Sequence, residues 1–186
     1  MSHPSQMSLP ESGATDCVLE LRGLKTYLCT EAGVVKAVDG VDLWVNRAEI
    51  LGVVGESGCG KSMMARSILR LLPPPGRIVA GEVLLDGQDL MKLSDSQMQS
   101  LRGDAIAMVF QEPMTSLDPV YTAGNQIEEV LVAHRPGMSR KERAERVVEL
   151  LRMVGIPSPE QRVNDYPHQL SGGMRQRVMI AIAQAC

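Results

Sequence analysis

From Cys17 to about Val45, apolar and polar residues alternate, as in Val18-Leu19-Glu20-Leu21 and Val38-Asp39-Gly40-Val41-Asp42-Leu43. A period of two predicts half-exposed strands, here antiparallel. The pattern then changes. Ile50-Leu51-Gly52-Val53-Val54 is a nearly continuous apolar run, which predicts a buried strand. A glycine-rich turn follows, and an amphipathic stretch from Lys61 to Leu72 reads as a helix stopped by Pro73-Pro74-Pro75.

Further along, Gly81–Leu85 and Ala105–Phe110 read as strands bracketing a short helix near 94–101, the second apolar enough to be buried. Between Thr122 and Val154 the spacing is helical in two segments, broken at Arg135-Pro136-Gly137. Ser139 and Glu142 fit a capping box for the second segment. Ser171 opens a last helical stretch that runs to Cys186 without a C-cap. Residues 1–16, polar and proline-containing without periodicity, read as a disordered lead-in.

Composition narrows the classes. A length of 186 residues suits one domain with a proper core. Aromatics make up 3% against 12 Met, so aliphatic side chains and thioethers fill that core. The net charge of −3, with Lys and Arg scattered, offers no basic stripe, so nucleic acid is not an expected partner. Cys17, Cys29, Cys59 and Cys186 lie far apart with no C-x-x-C pair, which argues against a zinc site or disulfide framework and fits a reducing cytosol. No apolar run reaches the roughly 18 residues of a membrane helix, and the N-terminus lacks the features of a signal peptide, so a soluble, unexported chain is expected.

The chemistry concentrates in Gly55-Glu56-Ser57-Gly58-Cys59-Gly60-Lys61-Ser62, which satisfies G-x-x-x-x-G-K-[ST] between an expected buried strand and the start of an expected helix. In that setting the glycines let successive N–H groups turn toward phosphate oxygens, and the helix N-terminus adds partial positive charge. Lys61 reaches the β- and γ-phosphates, and Ser62 offers a hydroxyl to Mg²⁺. A nucleoside triphosphate, ATP with Mg²⁺ in the reading that follows, is the implied ligand. Cys59 at this helix terminus is either a thiol of lowered pKa or simply a small residue that fits.

A phosphate loop alone leaves kinases, GTPases, recombinases and motors open. Leu170-Ser171-Gly172-Gly173-Met174, followed by Arg175-Gln176-Arg177, resembles the Leu-Ser-Gly-Gly-Gln signature of ABC ATPases. Gln111-Glu-Pro-Met-Thr-Ser-Leu-Asp-Pro119 and Tyr166-Pro-His-Gln-Leu170 resemble the di- and oligopeptide importer branch, which also includes glutathione and nickel importers; Met174 in the glutamine position is usual there. The resemblance covers about residue 18 to 186. It implies an α/β nucleotide-binding domain with an N-terminal antiparallel sheet, a mainly parallel core sheet and a helical subdomain. The corresponding division is 1–16 lead-in, 17–121 nucleotide-binding core and 122–186 helical subdomain.

The resemblance also assigns roles. Gln111 matches the Q-loop glutamine that contacts Mg²⁺ and the attacking water, against a plain reading as a polar residue leaving a strand. Tyr27 matches the aromatic that stacks on adenine, against a plain reading as a packed strand tyrosine. Ser171, Gly172 and Gly173 form a helix N-terminus that presses on the γ-phosphate held by a second ATPase subunit, and the same run reads plainly as a serine-capped helix. His168 reads as structural. The implied partners are two membrane permease subunits, a second ATPase subunit and, indirectly, an extracytoplasmic substrate-binding protein, at the cytoplasmic face of the membrane.

An ABC ATPase continues past the signature helix into an apolar strand ending Asp-Glu, a D-loop and a switch histidine, none of which occurs within these 186 residues. The expectation is nucleotide binding with little or no hydrolysis by this chain alone, and an Ile50–Val54 edge left unpaired. Two alternatives stand beside the importer. One is a truncated nucleotide-binding remnant. The other is a soluble ABC protein of translation or DNA repair, for which tandem cassettes, a coiled-coil insert or basic patches are absent.

Overall fold

The computed structural model describes residues 16–111 and 116–185. They divide into two compact units between Ser94 and Asp95. The lead-in expected over 1–16 lies outside the described residues except for Asp16, whose carbonyl accepts from the Arg47 N–H at 2.8 Å.

In the first unit, strands β1 (Cys17–Thr30) and β2 (Gly33–Asn46) form the long antiparallel hairpin that the alternation predicts. Strand β3 (Gly76–Leu85) pairs antiparallel with β1, and the two-residue β4 (Gln88–Asp89) closes the order β2-β1-β3-β4. Leu21, Leu24, Val38, Val83 and Leu85 are buried from these strands, together with Ile68 and Leu69 from and after helix α1 (Lys61–Ile68). Thr26 of β1 and Ser67 of α1 are fully buried and share a hydrogen bond of 2.7 Å.

Helix α1 stops at Ile68 rather than Leu72. Arg70 adopts a left-handed backbone (φ 53°), its N–H bonding Ser67 O while the Leu71 N–H bonds Arg66 O. This is the Schellman closure, usually built on glycine. Here the Arg70 guanidinium bonds the carbonyl of Leu93 at 2.7 Å, which helps to offset the roughly 1–2 kcal/mol cost of a non-glycine residue in that conformation.

Two expected strands do not form. Ile50–Val54 and Ala107–Phe110 carry no strand pairing, as expected for the Ile50–Val54 edge, apart from a single parallel bridge between Arg102 and Ile106 at the head of the second run. An extended segment becomes a strand only through a neighbour's N–H and C=O groups. Neither run has a neighbouring strand among the described residues, so Ile50 and Val54 stand 97% and 92% exposed instead of buried. The mainly parallel core sheet is correspondingly not seen among the described residues.

The second unit holds α2 (Asp95–Leu101), α3 (Ala123–His134), α4 (Arg140–Met153), the short α5 (Pro159–Arg162) and α6 (Gly172–Ala183). Its core joins Leu117 to Ile127 and Leu131 of α3, Val147, Leu150 and Leu151 of α4, and Val178 of α6. Each such side chain, fully removed from water, contributes about 1.5–3 kcal/mol. The capping box of α4 is present: Ser139 N–H donates to Glu142 Oε2 at 2.7 Å and Glu142 N–H to Ser139 Oγ at 3.3 Å. Gly155 (φ 74°) ends α4 by the same closure as α1, this time with the usual residue.

Residues 95–111 and 116–121 fall in the unit of the helices and are tied to α3. Asp104 pairs with Arg135 at 3.1 Å, and the Gln126 side chain bonds the backbone of Asp118 and Tyr121. Helix α6 ends at Ala183 with Gln184 as cap, short of the uncapped run to Cys186 read from composition, and Cys186 lies outside the described residues. Met98 and Met179 are buried as filler, whereas Met153 is exposed.

Candidate functional site

The loop Gly55–Gly60 is an exposed turn leading directly into α1. Gly58 (φ 84°) and Gly60 (φ 98°) take backbone conformations that side chains disfavour. At Gly60 a side chain is excluded twice over, since an added Cβ would fall well inside van der Waals contact distance of the Ala37 carbonyl oxygen of β2. That close approach seats the N-terminus of α1 on the sheet.

Lys61 lies along the inside of the loop. Its ammonium donates to the carbonyls of Gly55 and Glu56, both at 2.7 Å, and lies 3.4 Å from Cys59 Sγ. Ser62, next along α1, is exposed. A Cβ on Gly55 would stand 2.7 Å from Cys59 Sγ, so these two positions fit only as a small pair. This geometry accords with the packing reading of Cys59. Glu56 and Ser57 are exposed, and the Cys59 N–H closes the turn onto Glu56 O at 3.3 Å.

Beside the loop lies a cavity of about 390 Å³ lined by Lys36, Ala37, Val38, Asp39 and Val41 of β2, by Val53 and Val54, and by Cys59, Gly60, Lys61 and Met64. Tyr27 stands on β1 across from Lys36. Its hydroxyl donates to Asp39 Oδ1 at 2.7 Å, and Lys36 Nζ is 5.6 Å from its ring centroid. The hydrogen bond to Asp39, then partial burial, raises the phenol pKa above its ordinary value. The same bond from Tyr27, followed by that from Lys36, lowers the Asp39 carboxyl. Tyr27 is thus neither free nor simply packed. Sequence reasoning missed Lys36 and Asp39, although a Lys and an Asp three residues apart in a strand facing an aromatic is a signal that pairing register reveals.

In the second unit, Ser171 caps α6 by accepting the Met174 N–H at 3.3 Å. Gly172 and Gly173 are exposed, and no atom lies within 4 Å of a Cβ added to either. The chain's own packing therefore does not require glycine at either position. Arg177 donates to the carbonyls of Val154 and Gly155 at 3.0 and 2.8 Å, placing a cation at the C-terminus of α4 where the helix dipole favours it. That structural use was not legible from the motif. Gln111 is exposed in a bend at the end of the described segment, and it does not leave a buried strand. His168 stacks on Tyr166, ring centroids 5.7 Å apart. The first unit thus gathers the phosphate loop and Tyr27, while Gln111 and Ser171–Gly173 belong to the second.

The ABC transporter family model matches residues 38–186. The chain is 49% identical to the oligopeptide transport ATP-binding protein OppD of Bacillus subtilis, over 90% of its own length and 47% of that protein's. It is 45% identical to the dipeptide transport ATP-binding protein DppD of Escherichia coli, over 91% of this chain and 51% of that one. The chain thus spans about half the length of these relatives. Among solved structures it resembles the dimeric MJ0796, a bacterial ABC transporter cassette, with a TM-score of 0.80 and 33% identity over 90% of this chain and 69% of that one. The same cassette is also known in a post-hydrolysis state bound to ADP and Pi, with the same score and identity. With a phosphate loop seated on β2, a serine-capped Ser-Gly-Gly helix start and these matches in agreement, the chain belongs to the ABC transporter family.

Proposed function

We propose that this chain binds ATP with Mg²⁺ at Gly55–Ser62 and forms the ATP-binding, energy-coupling part of an ABC importer for di- or oligopeptides. The observation that carries the reading is the seating of Gly60 on Ala37 with Lys61 turned into the loop, bonded among the described residues to two carbonyls and a thiol. An ammonium held by neutral acceptors gains more from a phosphate, whose full negative charge adds a charge–charge attraction that a carbonyl dipole does not supply. The relatives named for oligopeptide and dipeptide transport supply the cargo class.

The residues present fit Mg²⁺ as well. Among the described residues no group of three or more His, Cys, Asp or Glu is placed to cage a metal. Mg²⁺ is commonly held by one or two protein oxygens together with waters and phosphates, and the exposed Ser62 hydroxyl on the first turn of α1 is such an oxygen. Bound there, the ion would neutralise charge on the phosphates. By the family resemblance, Gln111 would contact the ion and the attacking water. Ser171, Gly172 and Gly173, open to approach, serve a γ-phosphate bound by a second ATPase subunit, and Tyr27 serves the base. Two permease subunits, an extracytoplasmic binding protein and a place at the cytoplasmic face of the membrane complete the proposal.

The test is equilibrium titration of the chain with MgATP. Lys61→Ala is expected to weaken binding by about 2 kcal/mol, roughly thirtyfold in Kd. Equal affinity in the variant, or no binding by the unaltered chain at millimolar MgATP, refutes the reading.

A further inference from the structure

Asp39 stands between the aromatic ring of Tyr27 and the cavity of the phosphate loop. One carboxylate oxygen accepts the Tyr27 hydroxyl at 2.7 Å and the other accepts Lys36 Nζ at 3.3 Å, while Lys25 Nζ lies 3.8 Å from the first. Asp39 and Lys36 line the cavity with Cys59, Gly60 and Lys61. A lone carboxylate repels a triphosphate. Two lysines neutralise this one, and its hydrogen bonds run to Tyr27 and Lys36 rather than into the loop. A tyrosine on a strand turns about two soft torsions. A bond at the hydroxyl end and an ammonium over one face remove that freedom.

We propose that Asp39 is a positioning residue: through the Tyr27 hydroxyl it holds the ring as the platform for the base of the bound nucleotide. The inference rests on the nucleotide reading above. A base that stacks on this ring either takes the face opposite Lys36 or displaces the ammonium, and in both cases Asp39 sets the ring's orientation. Lys36 contributes by neutralising the carboxylate. Asp39 makes no contact with the base itself and acts only by way of the phenol.

The experiment titrates the 186-residue chain with MgATP and, separately, with magnesium tripolyphosphate, which carries the phosphates without a base. Asp39→Ala is expected to weaken ATP binding roughly fivefold, the equivalent of one hydrogen bond, and to leave tripolyphosphate binding unchanged. Asp39→Asn retains an acceptor oxygen and restores ATP affinity to within about twofold. Tyr27→Phe matches Asp39→Ala, and adding Asp39→Ala to Tyr27→Phe costs nothing more. The inference is overturned if Asp39→Ala leaves ATP affinity intact, if it weakens tripolyphosphate equally, or if it still costs affinity in the Tyr27→Phe background. Failure of the unaltered chain to bind either ligand instead overturns the nucleotide reading, and this inference with it.

Discussion

The buried pair Thr26 and Ser67 fastens the phosphate-loop helix to the sheet, and the direction of its hydrogen bonds fixes an unequal response to mutation. The Ser67 hydroxyl donates to the Met63 carbonyl at 2.7 Å, so its single proton is committed. Across the 2.7 Å contact with Ser67 Oγ, Thr26 must therefore be the donor. Both residues are fully buried. Ser67→Ala strands a buried donor and is expected to cost about 1–3 kcal/mol. Thr26→Val keeps the shape of the side chain and leaves Ser67 bonded to Met63, so it should cost only about 0.5–1 kcal/mol. With both hydroxyls gone no donor is stranded, and the double variant should fall close to Thr26→Val. That corresponds to a coupling of about 1 kcal/mol or more. Urea unfolding followed by the fluorescence of the single tryptophan, Trp44 of β2, reports on this unit. The reasoning fails if Thr26→Val costs as much as Ser67→Ala, or if the double variant equals the sum of the singles.

Three further outcomes are expected. Gly60→Ala forces a methyl into the Ala37 carbonyl at φ 98° and should abolish MgATP binding while the second unit keeps its helical circular dichroism; retained binding would contradict the seating of α1 on β2. Arg177→Met removes the donor to the Val154 and Gly155 carbonyls and should lower the thermal midpoint by the equivalent of about 1–2 kcal/mol, with an unchanged midpoint as the contrary result. Glu142 has its carboxyl lowered by the Ser139 backbone N–H and then the Ser139 side chain. Its contribution is therefore full above the ordinary glutamate value of about 4.3 and lost as the pH falls through the lower folded-state value. A pH series of thermal melts should show Glu142→Gln with a flatter acid limb than the parent; parallel limbs would contradict it.

Sequence alone determined whatever depends on local chemistry: the alternating hairpin of β1 and β2, the capping box at Ser139 and Glu142, the serine cap at Ser171 and the phosphate-loop run ending in Lys61 and Ser62. Each rests on residues within a few positions of one another, so spacing is enough to specify it. Tertiary structure decided what depends on distant neighbours. Ile50–Val54 and Ala105–Phe110 have the composition of buried strands, but strand formation needs a partner's backbone, and composition does not carry the partner. Helix α1 stops early because Arg70 finds the Leu93 carbonyl, a contact 23 residues away that no local rule announces. Asp39 became visible at the site only through the pairing that sets β2 beside β1, which brings its carboxylate to the Tyr27 hydroxyl. Arg177, read as part of a motif, turned out to hold the end of α4 because Val154 and Gly155 fold back to meet it.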